Sequence, residues 1–254
     1  MSELALSIRL FRSCVNAFVI AGVPPSSIGR GDVRAHRRIR LVLPGWLAWL
    51  LVALVAYLLG SIPSGLWIGR LFYGLDVREY GSRRTGATNV LRTLGARAAA
   101  AAVVMDVAKG VLAVLIARWL LPVQAWAHVL AAVAVALGHN WPIFVGFRGG
   151  RGVLVSFAAV GVLYFPILLA LLAIGVAIVW LTRYVSLASM SGSALAPLLF
   201  LAAHFLAPHG AEFVPWPYVI YAFVGGTLII LAHKDNLARL RAGTESRLGQ
   251  RVDK

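Results

Sequence analysis

Long, nearly uninterrupted apolar runs recur along this chain, and no other property restricts its fold as tightly. Seven of them, at residues 45–62, 98–121, 124–142, 152–165, 167–182, 188–206 and 216–232, are built from Leu, Val, Ala, Ile, Phe and Trp. About 20 such residues cross the hydrocarbon of a bilayer as a helix, because in lipid every backbone polar group must be satisfied within its own segment. The runs predict an all-α polytopic membrane protein of about seven transmembrane helices. The chain of 254 residues is 60% hydrophobic and 13% charged, with a mean hydropathy of +0.84. A soluble domain of that size cannot bury so much apolar surface. Tyr164-Phe165-Pro166 interrupts the run 152–182; proline there divides it into two short or tilted crossings, the preferred reading, or into one span plus a re-entrant piece.

The formal charge of +15 suggests nucleic acid until its placement is considered. The cations lie between and beyond the apolar runs, not on one soluble face, so no nucleic-acid partner is expected. The connection 63–97 holds Arg70, Arg78, Arg83, Arg84, Arg92 and Arg97, the connection 143–151 holds Arg148 and Arg151, and the following turn holds Arg183. Residues 207–215 and 122–123 hold none. The rich loops share one side, which the positive-inside rule makes cytoplasmic, together with the C-terminus. Residues 1–43 conflict with this scheme: seven arginines, from Arg9 to Arg40, precede a helix that starts outside. They are read as a basic N-terminal extension of unknown role, followed by a membrane domain at 44–249 and a short tail at 250–254. Cys14 is the sole cysteine, which excludes an internal disulfide, and the histidines show no zinc spacing. No metal or cofactor is expected.

Four polar segments fall on the cytoplasmic side. Gly81-Ser82-Arg83-Arg84-Thr85-Gly86-Ala87-Thr88-Asn89-Val90-Leu91-Arg92 carries two glycines, hydroxyls, an amide and three arginines, the groups that hold an anion by several short bonds. A loop made basic for topology alone needs arginines but not the Gly-Ala-Thr-Asn core. Gly149-Gly150-Arg151-Gly152 opens a helix, where free amides and the helix dipole favour negative charge; the plain alternative is a flexible turn. Ser186 and Ser189 lie near a cytoplasmic helix end, where serine also bonds to its own backbone. His233 and Asn236 share a face just beyond the last run. Asp106 and Lys109 share a face inside the second run, and read equally as a buried neutralising pair or as a substrate contact.

Taken in order, Gly-Ser-Ile-Pro, Gly-Ala-Thr-Asn-Val-Leu-Arg, Asp-Val-Ala-Lys-Gly, Gly-His-Asn-Trp-Pro, Phe-Arg-Gly-Gly-Arg-Gly, Val-Ser-Leu-Ala-Ser and Ala-Gly-Thr-Glu resemble the bacterial acyl-phosphate:glycerol-3-phosphate acyltransferases from about Leu47 to Gly249. The resemblance implies a multi-pass enzyme of the bacterial plasma membrane, with its active site facing the cytoplasm. It would move a fatty acyl group from acyl phosphate to the 1-hydroxyl of glycerol 3-phosphate, a step of phospholipid synthesis. It implies Ser82, Arg92 and His233 as catalytic residues and Thr88, Asn89, Arg151, Ser186, Ser189 and Asn236 as substrate-binding ones, with Lys109 counted among the latter from its own position. The membrane lipid and the enzyme that supplies acyl phosphate are the implied partners. Two residues depart from the family pattern: Arg151 stands where Lys is usual, and Arg84 where Asn is common. Arg keeps the charge of Lys but is a planar fork, not a point donor.

An acyl phosphate is already activated, so orientation, phosphate neutralisation and oxyanion stabilisation suffice. No Ser-His-Asp pattern is present, and direct attack by the glycerol hydroxyl is expected, with a phosphate oxygen or His233 accepting the proton. A transporter of a phosphorylated small molecule is the alternative, and it predicts polar groups on both sides of the midplane.

Overall fold

The computed structural model describes residues 45–206 and 214–250; the 1–43 extension, Cys14, most of the 207–215 connection and residues 251–254 lie outside them. Ten α-helices occur among the described residues, and no strand. They are α1 (Gly45–Ser61), α2 (Ser64–Tyr73), α3 (Ala87–Leu94), α4 (Ala96–Leu120), α5 (Ala125–Asn140), α6 (Val153–Leu163), α7 (Phe165–Thr182), α8 (Val185–Leu206), α9 (Trp216–Ala232) and α10 (Lys234–Arg241). A single 3₁₀ turn, Ile143–Val145, follows α5.

Five stretches are long and apolar enough to cross a membrane: Gly45–Tyr73, Ala96–Leu120, Ala125–Val145, Phe165–Thr182 and Val185–Leu206. The pair α9–α10, bent by 58° at His233, counts as a sixth if the two helices form one span. Among the described residues the seven expected runs differ at two places, of which the second alters the count. The first span does not stop at 62 but runs on through α2, with Pro63 marking the break. The run 152–165 forms only the 11-residue α6, about 16 Å long at 1.5 Å per residue, against about 30 Å of hydrocarbon. It ends because Tyr164 is extended (φ −156°) and Pro166 starts a new helix, the break that the sequence predicts at this proline. A helix end inside a membrane needs partners for its last carbonyls. Arg118 supplies one, its Nη2 donating to the Leu163 carbonyl at 3.2 Å.

Small residues set the helix crossings. A Cβ on Gly60 would sit against the Val135 carbonyl oxygen, and one on Gly138 against that of Tyr57. The backbones of α1 and α5 therefore touch, as small residues permit between membrane helices. Phe200, Tyr221, Val219, Leu171 and Ala159 belong to the largest buried cluster, to which α4 through α9 all contribute. The break at Pro63 leaves the Ile62 carbonyl free of its helix, and Lys109 of α4 donates to it at 2.9 Å. The same ammonium pairs with Asp106 at 2.9 Å, and Ser64 donates to that carboxylate at 2.9 Å. The charged pair inside the second run thus pins α4 to the α1–α2 break.

Candidate active site

The segment before α3 carries no regular structure of its own, and one side chain organises it. Asn89, buried at the start of α3, donates through Nδ2 to the carbonyls of Val77 (2.7 Å), Arg84 (2.9 Å) and Tyr80 (3.2 Å). Its Oδ1 accepts the Ser82 amide at 2.9 Å. Asp76 fastens the other flank, bonded to Arg78 and Arg70 at 2.8 Å each. Hydrogen bonds from Arg78 above all hold its carboxyl well below the ordinary carboxylate range, against the effect of burial. Arg78 also reaches the Val145 carbonyl at 3.3 Å. The loop is thereby fixed with Ser82, Arg84 and Thr88 facing inward.

The glycine-rich turn folds back on the end of α5. Gly149 donates to the Asn140 carbonyl at 3.2 Å, and Gly150 to that of His139 at 3.0 Å. A Cβ at Gly150 would collide with the His139 ring, and Gly152 (φ +73°) turns the chain into α6. This close approach aims Arg151 into the interior, where its Nε is buried without a hydrogen-bond partner. Burial first, then the nearby Arg84 and Arg239, push its pKa down to about 10.

The third and fourth segments meet on Glu245. Its Oε1 accepts from Ser186 and Asn236, and its Oε2 from Arg239, each at 2.7 Å. Burial works against its charge, but these three hydrogen bonds outweigh it and hold the carboxyl below its ordinary value. Ser189 donates back to the Val185 carbonyl at 2.9 Å. His233 Nδ1 lies 2.8 Å from the Ile229 carbonyl; a carbonyl only accepts, so the ring hydrogen is on Nδ1 and neutral Nε2 is left as an acceptor. Arg92 Nη2 donates to the Ser246 carbonyl at 3.1 Å, and burial lowers its pKa.

These elements enclose one cavity of about 260 Å³. Nine of the ten residues nominated from sequence line it: Ser82, Thr88, Asn89, Arg92, Arg151, Ser186, Ser189, His233 and Asn236. Lys109 does not. Its ammonium is taken up by the Ile62 carbonyl and Asp106, the neutralising pair that the sequence offered beside a substrate contact. Asn89 reaches the cavity, but its amide is engaged by the loop, so it positions Ser82 and Arg84. Glu245, Asp106, Arg84 and His139 line the cavity as well. Arg84 and Asp106 stand out in the sequence without a place among the ten; Glu245 and His139 stand only within quoted motifs, and a search for anion-binding groups passes over the carboxylate of Glu245.

The charges leave the cavity cationic. Asp106 is matched by Lys109 and Glu245 by Arg239, whereas Arg84, Arg92 and Arg151 all face inward. Among the described residues no serine of the site bonds to a histidine, and no group of three or more His, Cys, Asp or Glu is placed to hold a metal. Val153, Val185 and Ser189 line both this cavity and an apolar groove of about 740 Å³ between α6, α7 and α8, which runs along Val179, Val176, Gly175 and Leu171. Ser82 and Arg84 line both the cavity and a polar vestibule of about 570 Å³, rimmed by Arg78, Arg83, Arg148 and Asp235.

A cationic cavity set between a polar vestibule and an apolar groove, at one end of a helical membrane bundle, defines a protein built to act on an amphiphilic anion. The family model for glycerol-3-phosphate acyltransferase matches residues 50–243. A glycerol-3-phosphate acyltransferase of Synechococcus sp. (strain JA-3-3Ab) is 41% identical over 209 residues, 82% of this chain and 98% of the relative. Glycerol-3-phosphate acyltransferase 2 of Moorella thermoacetica is 43% identical over 204 residues, 80% of this chain and 99% of the relative. The crystal structure of PlsY, an integral membrane glycerol 3-phosphate acyltransferase, superposes in its glycerol 3-phosphate form with a TM-score of 0.72 and 36% identity, covering 80% of this chain and 96% of that one. Its lysophosphatidic acid form gives 0.70 and 35%, with the same coverage. The chain belongs to the glycerol-3-phosphate acyltransferase family and is an integral membrane acyltransferase.

Proposed function

We propose that this chain transfers a fatty acyl group from acyl phosphate to the 1-hydroxyl of glycerol 3-phosphate, giving lysophosphatidic acid and inorganic phosphate. The observation that carries the reading is that Val153, Val185 and Ser189 border both an apolar groove and a cavity lined by three arginines. An acyl tail fits the groove, its phosphate fits the cavity, and the water-soluble acceptor reaches the same cavity from the vestibule. The relatives' names and the two PlsY forms support the acceptor and product classes.

In the transfer the acceptor hydroxyl oxygen bonds to the carbonyl carbon, the carbonyl–phosphate oxygen bond breaks, and phosphate leaves with the electron pair. The proton passes to a phosphate oxygen or to His233 Nε2. Arg92 and Arg151 neutralise the phosphates, worth more in this enclosed site than in water, and the loop held by Asn89 supplies orientation. Ser186 is already bonded to Glu245 and Ser189 to its own helix, which favours direct attack over an acyl-enzyme. The site faces the cytoplasm in this reading, where the enzyme that makes acyl phosphate delivers the donor.

Purified protein given acyl phosphate and labelled glycerol 3-phosphate, without acyl-CoA, is expected to form lysophosphatidic acid and release phosphate in equal amounts. Product with acyl-CoA alone would overturn the donor class. A stable acyl adduct on Ser82, Ser186 or Ser189 would overturn direct attack.

A further inference from the structure

Arg84, with Ser82, lines both the inner cavity and the vestibule. Its Nη2 lies 3.8 Å from Asp235 Oδ2, a long pair with side chains 36% and 52% exposed. Exposed pairs of that kind are weak and readily exchanged. The pair bridges the mouth, Arg84 coming from the loop before α3 and Asp235 from α10. Further in, Arg151 offers a buried Nε without a partner, and the other charges of the cavity are engaged by Lys109, Arg239 and the Ser246 carbonyl. The two guanidiniums lie near enough for Arg84 to depress the pKa of Arg151. An anion between them would relieve that repulsion.

Resting on the acyl-transfer reading, we infer that Arg84 exchanges Asp235 for the phosphate monoester of the water-soluble substrate and closes on it together with Arg151. The vestibule is then the entry route of that substrate, and Asp235 is a competitor that holds Arg84 at the mouth until a ligand arrives. A phosphate monoester outcompetes a carboxylate because it carries up to two charges and three acceptor oxygens, which suit a planar fork. The loop tolerates the test, since Asn89 holds the Arg84 carbonyl and not its side chain.

Calorimetric binding of glycerol 3-phosphate, and of inorganic phosphate alone, to the purified full-length protein tests this without turnover. Arg84→Ala is expected to weaken both ligands about tenfold, and Arg84→Lys to weaken them less. Asp235→Asn is expected to tighten both about threefold, and the double variant to bind like Arg84→Ala, with thermal melts of the ligand-free proteins unchanged. Wild-type affinity in Arg84→Ala, or an Asp235→Asn effect that survives in the Arg84→Ala background, would overturn the inference. If the wild type binds glycerol 3-phosphate by this pattern but transfers no acyl group, the functional reading falls and the capture site stands. If it transfers acyl groups while Arg84→Ala binds normally, only the capture site falls.

Discussion

Glu245 is a cavity carboxylate whose removal reaches two helices at once, because Ser186 of α8 and Asn236 and Arg239 of α10 all donate to it. Replacing it with Gln keeps one acceptor oxygen but turns an amide toward Arg239. A hydrogen bond to a charged group is worth about 2 kcal/mol, so Glu245→Gln is expected to lower Tm by about 5 °C at neutral pH. The pH dependence has a definite sign. The folded pKa lies below the ordinary value of 4.5, so the stabilisation is full above 4.5 and is lost as pH falls through the depressed value. Melting curves of the two proteins should therefore converge in acid; a constant gap would show that the charge is not what Arg239 holds. Residues of this kind were only half legible in the sequence. Asn89 and Lys109 stood out correctly as polar groups in special places. Whether an amide or an ammonium faces a ligand or a backbone carbonyl, however, depends on the path of the loop at 77–84 and on which side chain reaches the Ile62 carbonyl at the Pro63 break, and residue type marks neither.

At the scale of elements, the glycine-rich turn works because α5 and the chain entering α6 touch without side chains between them. A methyl at Gly150 would meet the His139 ring, which cannot retreat because it lies against Asp106, 3.6 Å away. Gly150→Ala is expected to cost about 2 kcal/mol through overpacking, lowering Tm by about 5 °C, and to displace Arg151 so that acyl transfer drops more than tenfold. By contrast, Gly175→Ala in α7, with nothing within 4 Å of the added methyl, should melt close to wild type. Equal melting of the two variants would show that the turn yields and that its glycines are not packed for contact. The turn's glycines and the break at Pro166 were readable from residue type. The length of α6 was not, since hydropathy is blind to the extended Tyr164 and to the Arg118 side chain that completes the helix end.

For the whole molecule, an apolar groove between α6, α7 and α8 and a polar vestibule at Arg84 both border one cavity, and only one orientation in a membrane turns the vestibule toward a cytoplasmic substrate. The charges favour that orientation. The cavity end carries Arg78, Arg83, Arg84, Arg92, Arg148 and Arg151, whereas the turn between α4 and α5 carries none, and nearby Arg118 is turned inward onto Leu163. Arg118 is thus no loop charge, which sharpens the asymmetry that the positive-inside rule reads. Because Cys14 is the sole cysteine, Cys14→Ser gives a thiol-free background. Glu79→Cys on the vestibule rim and Val123→Cys, at an 88% exposed position on the opposite turn, then report the two sides separately. In intact cells a membrane-impermeant maleimide is expected to label the residue-123 thiol at once and the residue-79 thiol only after permeabilisation. The reverse pattern would place the vestibule outside, and with it would remove the cytoplasmic source of glycerol 3-phosphate that the proposed reaction requires.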